Sequence, residues 1–380
     1  MLGSSHLFMR EMHLLEIQNL YPDCVLMNLE AFPHPTEAAL TLVLNISFHE
    51  QWKTLLGGRI KFGLKRGIFK LQVRDCEFFP QASELETVLQ FPSGTVKDFS
   101  WQFSPLPQTA LLKASSQRLT LGTLKLQEQP CHLIATFEIR PSGLTITDAE
   151  GLWRPDISPN KHAIIDRLLA RYLVQHYFSP AISWLQLAVG NLENWDDLFS
   201  DRPKTRDESS LSQLEALIQK IYDVQTQKLK ELCQLAGLES KLDLAGGNFL
   251  GATLSGEELS HTELIGCNFR GAILTDADLS ESDLDYAIFT GADLSGAYLE
   301  SARLRYADFR KGSLALANLI SSDLSRANLQ GTIVNNANFS GAIVTDALFG
   351  DNPGMTVEMR QSLMARGAKF LADLDSEVLS

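Results

Sequence analysis

The chain has 380 residues, 44% hydrophobic and 21% charged, which is enough length for two domains with separate cores. Its net charge of −13 excludes nucleic acid as the default partner and favours a basic protein surface or a nucleic-acid-binding enzyme. Five scattered cysteines without CxxC, an N-terminus lacking a signal-peptide pattern and no bilayer-length apolar run predict a cytoplasmic protein, without zinc or membrane binding.

Residues 1–190 read mostly as strands: ALTLVLNISF, RIKFGLKRGIFKLQVR, SQRLTLGTLKL and HLIATFEI. A β-rich domain, β-sandwich-like or α+β, is expected. Gln51 to Arg74 holds seven bases and no acid. Within it Arg59, Lys61 and Lys65 alternate with Ile60, Phe62 and Leu64, which predicts a cationic outer face on a packed strand. Lys65-Arg66-Gly67 is the expected hairpin turn, with Lys70 and Arg74 beyond it. Such a face suits anionic lipid, nucleic acid or an acidic partner; equally, it is a solvated face or one side of an internal contact.

Asp148 and Glu150 near Trp153 could pair as carboxylates, but without a cleft to shift a pKa they read as turn residues. A helix follows near 159–178, capped by Ser158 with Pro159 at its first position. Ile164, Ile165, Leu168, Leu169 and Leu173 form its apolar stripe, and Pro180 ends it before a closing strand, SWLQLAV. His162 and Asp166, four apart, read as a surface pair. No histidine spacing suits a metal, and no nucleophile elbow, P-loop or dinucleotide fingerprint is present, so neither an enzyme nor a cofactor is expected. GRIKFGLKRGIFKLQV and DAEGLWRPDISPNKHAIIDR look similar to an uncharacterised domain of cyanobacterial type, which implies no activity. Residues 191–209 read as an acidic linker. Residues 210–237 read as a capping helix with Leu214, Leu217, Ile218, Ile221 and Val224 on one face, Ser209 or Ser210 at its start and Gly237 at its end.

From Leu244 to Phe349 every fifth residue is Leu, Phe or Val. The residue two before is usually small (Ala252, Ala272, Ala297, Cys267), with Leu242 and Glu257 as exceptions, and Gly often stands two after. In extended backbone the large and small residues point inward together, and the glycines suit corners of positive φ, as in a type II turn. Phe249, Phe269, Phe289, Phe309 and Phe349 share a 20-residue series broken only by Leu329, so four fives make one coil and the rings form a column. GADLSGAYL, YADFR and RANLQG resemble the pentapeptide-repeat family, A(D/N)LxX, over residues 242–351. The resemblance implies a right-handed quadrilateral β-helix and leaves function open. Residues 355–380 read as a C-terminal helical cap and tail, with Met359 and Leu363 buried and Gly367 as the stop.

Asp243, Glu263, Asp283, Arg303 and Asp323 are spaced by 20 and should form one column, with Arg303 paired on both sides. Arg305, Arg310, Lys311 and Arg326 lie near it, with Tyr306 over Arg326. The expected role is a non-enzymatic protein-interaction scaffold, a regulator or assembly factor of the kind the resemblance implies in photosynthetic bacteria. The alternative is a DNA mimic that inhibits or protects a DNA-binding enzyme such as a topoisomerase. Direct DNA binding is not expected. Candidate partner-binding residues are Arg59, Lys61, Lys65, Arg66, Lys70, Asp243, Glu263, Asp283, Arg303 and Arg305. The basic strand and the acidic column are expected to stay mostly undocked, since exposed ion pairs contribute only about 0–1 kcal/mol each.

Overall fold

The computed structural model describes residues 12–19, 21–34, 39–81, 87–93, 96–103, 111–112, 114–125, 131–154, 156–179, 181–189 and 208–371. The expected linker, up to residue 207, and the tail beyond 371 lie outside them. The chain is mainly β and divides into two compact units. The first comprises Met1–Lys53, Lys61–Arg140 and Leu173–Arg206; the second comprises Thr54–Ile60, Pro141–Tyr172 and Asp207–Ser380. That division differs from the expected boundary at 190, since Thr54–Ile60 and Pro141–Tyr172 group with the repeats.

In the first unit a six-stranded antiparallel sheet runs in the order Met12–Asn19, Ser183–Val189, Cys131–Glu138, Gly67–Arg74, Val96–Phe103, Thr87–Ser93. A four-stranded antiparallel sheet runs Val25–Pro33, Ala39–Phe48, Ala114–Lys125, Glu77–Pro80. Their rings meet in the core: Phe48 lies 5.6 Å from Phe103 and 5.3 Å from Phe137, and Phe78 lies 4.8 Å from Phe99. These edge and tilted contacts bring the two sheets together face to face, as alternating buried positions require. Gly58–Leu64 joins a separate three-stranded sheet, between Leu144–Glu150 and Gln51–Leu55. Lys65-Arg66 is therefore a passage from one sheet to another rather than a hairpin turn. The tight turn is at Leu56-Gly57, where φ is 52° and 75°.

The second unit is built on the repeats. Parallel bridges join each outward residue to the one 20 later, from Asn248–Asn268 to Asn328–Leu348. Each coil thus takes four five-residue sides, named here by their first outward residues: Asp243, Asn248, Thr253 and Glu258. Sides end in turns with positive φ at the third residue, nearly all closed by a hydrogen bond such as Ala252 N–H to Phe249 O, 3.0 Å. Gly251 takes φ 64° there, and so do Tyr286, Tyr306, Leu316 and Arg326 at 59–62°. Inside, Phe249, Phe269, Phe289 and Phe309 stack at 5.1, 5.1 and 4.8 Å and are fully buried.

Both ends are closed. The segment expected as one capping helix is two, α2 (Glu208–Asp223) and α3 (Leu229–Ala236), following α1 (Pro159–Tyr177). Ser210 accordingly lies inside α2 rather than at its cap. Gly237, at φ 61°, ends α3 and donates to Gln234 O, while Leu238 N–H bonds Cys233 O. The first coil has no preceding coil to bond, and side chains of α1 stand in for it. The Asn160 amide donates to Thr253 O (2.9 Å) and accepts from Thr253 N (3.1 Å), replacing a missing strand on that side. Arg167, fully buried, donates to Asp243 O, Leu144 O and Pro141 O at 3.0, 3.0 and 2.5 Å. Arg171 reaches Gly237 O at 2.7 Å. A Cβ at Gly246 would sit 2.5 Å from Ser142 O, so only glycine admits this approach. At the far end α4 (Val357–Ala365) is capped by Thr356, whose side chain accepts from Met359 N, and it buries Leu363. Met359 is only half-buried. Lys369–Phe370 pairs in parallel with Leu348–Phe349, and the Phe370 ring stacks on Phe349 at 5.3 Å.

Candidate functional site

The basic stretch does not form one cationic face. Lys65 is buried and Arg66 half-buried, because the strand ends at Leu64 and the chain turns inward there. The other cations meet acids from neighbouring strands: Arg59 pairs with Glu150, Lys61 with Glu50 (3.5 Å) and Lys70 with Glu138 (2.6 Å). Lys53 sits over the Tyr177 ring at 3.8 Å. Asp148 and Glu150 lie on a strand with exposed side chains, not in a turn. His162 and Asp166 are no surface pair either. Asp166 is buried and accepts from Ile146 N at 3.2 Å, while His162 packs edge-on to Trp153 at 4.3 Å. Burial lowers the His162 pKa, with Asp166 opposing.

Two of the five scattered cysteines are bonded. Cys76 and Cys131 are joined as a disulfide, Cα atoms 5.6 Å apart, which removes the support that the cysteines lent to a cytoplasmic protein. Cys24, Cys233 and Cys267 are free and buried. Among the described residues no cluster of His, Cys, Asp and Glu could hold a metal, and no helix is long and apolar enough to cross a membrane. A cavity of 190 Å³ in the first unit is lined by Phe48, His49, Glu50, Gly63, Leu111 and Leu112.

On the coils the 20-residue column is in register, with bridges Glu263–Asp283, Asp283–Arg303 and Arg303–Asp323. Its charges are largely used within the fold. Asp243 accepts from Glu239 N (2.9 Å) and pairs with Arg171 at 3.5 Å; Glu263 is exposed. Arg303 is not paired on both sides: its ion pairs, with Asp283 (3.2 Å) and Asp285 (2.9 Å), both reach back to the preceding coil. Asp323 instead accepts from Ser325 N–H and hydroxyl at 3.0 and 2.6 Å. Asp285 is the residue that the sequence reading missed. It is 3% exposed and takes hydrogen bonds from Arg303, from Arg305 N–H and from the Arg305 guanidinium, which raises the Arg305 pKa. Arg310 folds onto Asp308 at 2.7 Å, and Arg326 donates to Tyr306 Oη at 2.6 Å.

The Asp/Asn position of each repeat has a structural duty. Asp278, Asp283, Asp293 and Asp308 each accept from the N–H two residues on, at 3.0–3.2 Å. The charged residues of the coils are sorted by side. Every Lys and Arg of the coils (Arg270, Arg303, Arg305, Arg310, Lys311, Arg326) falls on the Asp243 or Asn248 side or its closing corner. The Thr253 and Glu258 sides carry Glu257, Glu258, Asp276, Asp278, Glu281, Asp293 and Glu300 and no Lys or Arg. Lys230 of α3 meets Glu258 at 3.2 Å, and His261 meets Glu281 at 3.4 Å. Exposed apolar side chains stand among these acids: Ile273, Leu316 and Ile333 on the Thr253 side, Tyr298 on the Glu258 side.

The family model for pentapeptide repeats matches in 8 copies, over residues 240–276, 262–300, 277–315 and 313–351. No curated protein matches the chain. Among solved structures, the pentapeptide repeat protein Rfr23 from the cyanobacterium Cyanothece 51142 is 30% identical. That match covers 26% of this chain and 66% of that one, just under two thirds, with a TM-score of 0.25. A pentapeptide repeat protein of the Arabidopsis thaliana thylakoid lumen is 33% identical over 30% of this chain and 78% of its own, TM-score 0.22. HetL from the cyanobacterium Nostoc, described as involved in heterocyst differentiation regulation, is 34% identical over 27% of this chain. The match spans about half of HetL, 54%, with a TM-score of 0.14. The unbroken five-residue period, the corner of positive φ after each side and the family-model match over residues 240–351 make the repeat region of this chain a member of the pentapeptide-repeat family.

Proposed function

We propose that the chain is a non-enzymatic adaptor that holds a protein partner on the outward sides of its coils, as a regulator or assembly factor. The rod is taken as a right-handed quadrilateral β-helix. The observation that carries the reading is the segregation of charge by side: two adjoining sides carry six outward acids and no Lys or Arg, while elsewhere Arg303, Arg305 and Arg310 are paired with Asp283, Asp285 and Asp308. Side chains fixed on a fully bonded backbone lose little entropy on binding, which favours recognition over chemistry. A photo-reactive residue placed in the full chain at Tyr298, Asp293, Tyr306 or Arg310 samples all four sides in the native host. Protein adducts confined to particular sides are expected. Adducts from none of the four positions would overturn the adaptor reading.

The same charge segregation favours a second reading, in which the acidic sides occupy the DNA-binding cleft of an enzyme such as a topoisomerase. A supercoiling assay separates the two. The adaptor leaves supercoiling unchanged at any concentration, whereas a mimic inhibits or protects in proportion to its concentration.

A further inference from the structure

The corners of the coils take positive φ whatever residue occupies them, and an L side chain is strained there where glycine is not. The non-glycine corners are polar, charged or tyrosine, with one exception. Leu316 sits at φ 62° and leaves 66% of its surface exposed, so it is strained without gaining burial. Ile273 and Ile333 point outward on the same side, and Tyr298 on the adjoining side is 53% exposed. Three coil steps separate Ile273 from Ile333, about 14 Å at strand spacing, roughly the length of nine residues of α-helix. Asp276 and Asp293 stand on the side of the three aliphatic residues, and Glu300 on the side of Tyr298.

We propose that the Thr253 and Glu258 sides receive a cationic amphipathic segment of a partner protein. Its apolar stripe covers Ile273, Leu316, Ile333 and Tyr298, and its Lys and Arg side chains meet Asp276, Asp293 and Glu300. The proposal rests on the adaptor reading and names the class of partner. Ile273, Leu316 and Ile333 share one side, whereas the exposed Leu250 and Ile343 stand apart on the other two, and exposed apolar groups gathered on one face mark an interaction surface. The absence of bases on both sides sets the sign of the occupant's charge. A second copy of this chain fits poorly, since its net charge of −13 would set carboxylates against carboxylates. A DNA-binding cleft is shaped for phosphates and would leave three aliphatic side chains facing polar walls.

The test uses two labelled synthetic peptides of the same Lys and Leu composition, one with Leu on a single helical face and one scrambled. Fluorescence anisotropy measures binding of each to the full chain. The striped peptide is expected to bind at least about tenfold tighter. Ile273→Asn with Leu316→Gly and Ile333→Asn should abolish that preference. Asp276→Asn with Asp293→Asn and Glu300→Gln should weaken both peptides, and Asn at 293 keeps its hydrogen bond to Ser295 N–H. Ile343→Asn with Asp323→Asn, on the Asp243 side, should change neither. Equal binding of the two peptides overturns the proposal, as does an equal loss in the Asp243-side variant. Self-association of the free chain that disappears in the aliphatic variant assigns the face to a second copy and also overturns it. Adducts confined to Tyr306 and Arg310 in the photo-crosslinking experiment would sink this inference and leave the adaptor reading standing.

Discussion

Glu257 occupies an inward position where most repeats place alanine, and its carboxylate accepts from Leu229 N at 3.0 Å, at the first turn of α3. A carboxylate there satisfies an orphan N–H and faces the positive end of the helix. Glu257→Ala restores the repeat pattern, yet it is expected to destabilise the chain by about 1 kcal/mol in urea unfolding, as loss of a helix cap does. Glu257→Gln keeps an acceptor oxygen and should lose less. His162 gives a pH prediction. Burial beside Trp153 holds its pKa below the ordinary 6.5, although Asp166 partly opposes this. The folded state therefore binds that proton less well than the unfolded state. Stability is level above pH 6.5 and falls as pH drops through 6.5 toward the lowered value. Denaturation midpoints on either side of pH 6.5 should show the fall, and His162→Asn should reduce it. His132, also lowered by burial, supplies a remaining part. A rise in stability on acidification through this window would contradict the burial of both rings. Neither Glu257's duty nor the burial of His162 was legible in the sequence. Glu257 meets an N–H 28 residues earlier and His162 packs on Trp153, which lies outside its helix, and spacing reports only neighbours on the same element.

Within one coil the energetics are set by stacking. Phe289 lies between Phe269 at 5.1 Å and Phe309 at 4.8 Å, near-parallel and fully buried. Phe289→Ala is expected to cost about 3–5 kcal/mol in denaturant unfolding; a loss under about 1 kcal/mol would mean that the column is not packed. Ala297→Leu should also destabilise, since Ala297 is fully buried and the core has no room for three more carbons. The coil was legible because the repeat writes its own geometry: side-chain period and backbone period coincide, so Phe spacing alone reveals 20 residues per turn. The charge columns were legible in register but not in use. Asp285 occupies a position that reads as outward, and only the two arginines of the next coil fold over and bury it. Phe370 escaped for a related reason. It comes 21 residues after Phe349, beyond α4, so no five-residue count reaches it.

At the scale of the molecule, the cross-link and the division into units have measurable signatures. Cys76–Cys131 is bonded, and Cys24, Cys233 and Cys267 are free. Burial pushes the Cys24 and Cys233 thiols up to about 12, so little reactive thiolate is present at neutral pH. Maleimide is expected to leave the native chain unlabelled. It should modify three cysteines in denaturant and five after reduction, read by intact mass. Five in denaturant without reduction would show that the disulfide is absent. The repeats could be delimited from sequence to within a few residues, but the unit they belong to could not. Asn160, Arg167 and Arg171 look like ordinary polar positions on an amphipathic helix until the backbone they bond is known. That arrangement orders events in time. The segment from Pro141 to Tyr172 is synthesised before any coil, and its amide and guanidinium groups present the bonds that a preceding coil would otherwise offer. The first coil has a template waiting as it leaves the ribosome, and each finished coil becomes the template for the next. Growth one way along the nascent chain is then the expected order of folding, with Phe370 seating on Phe349 last.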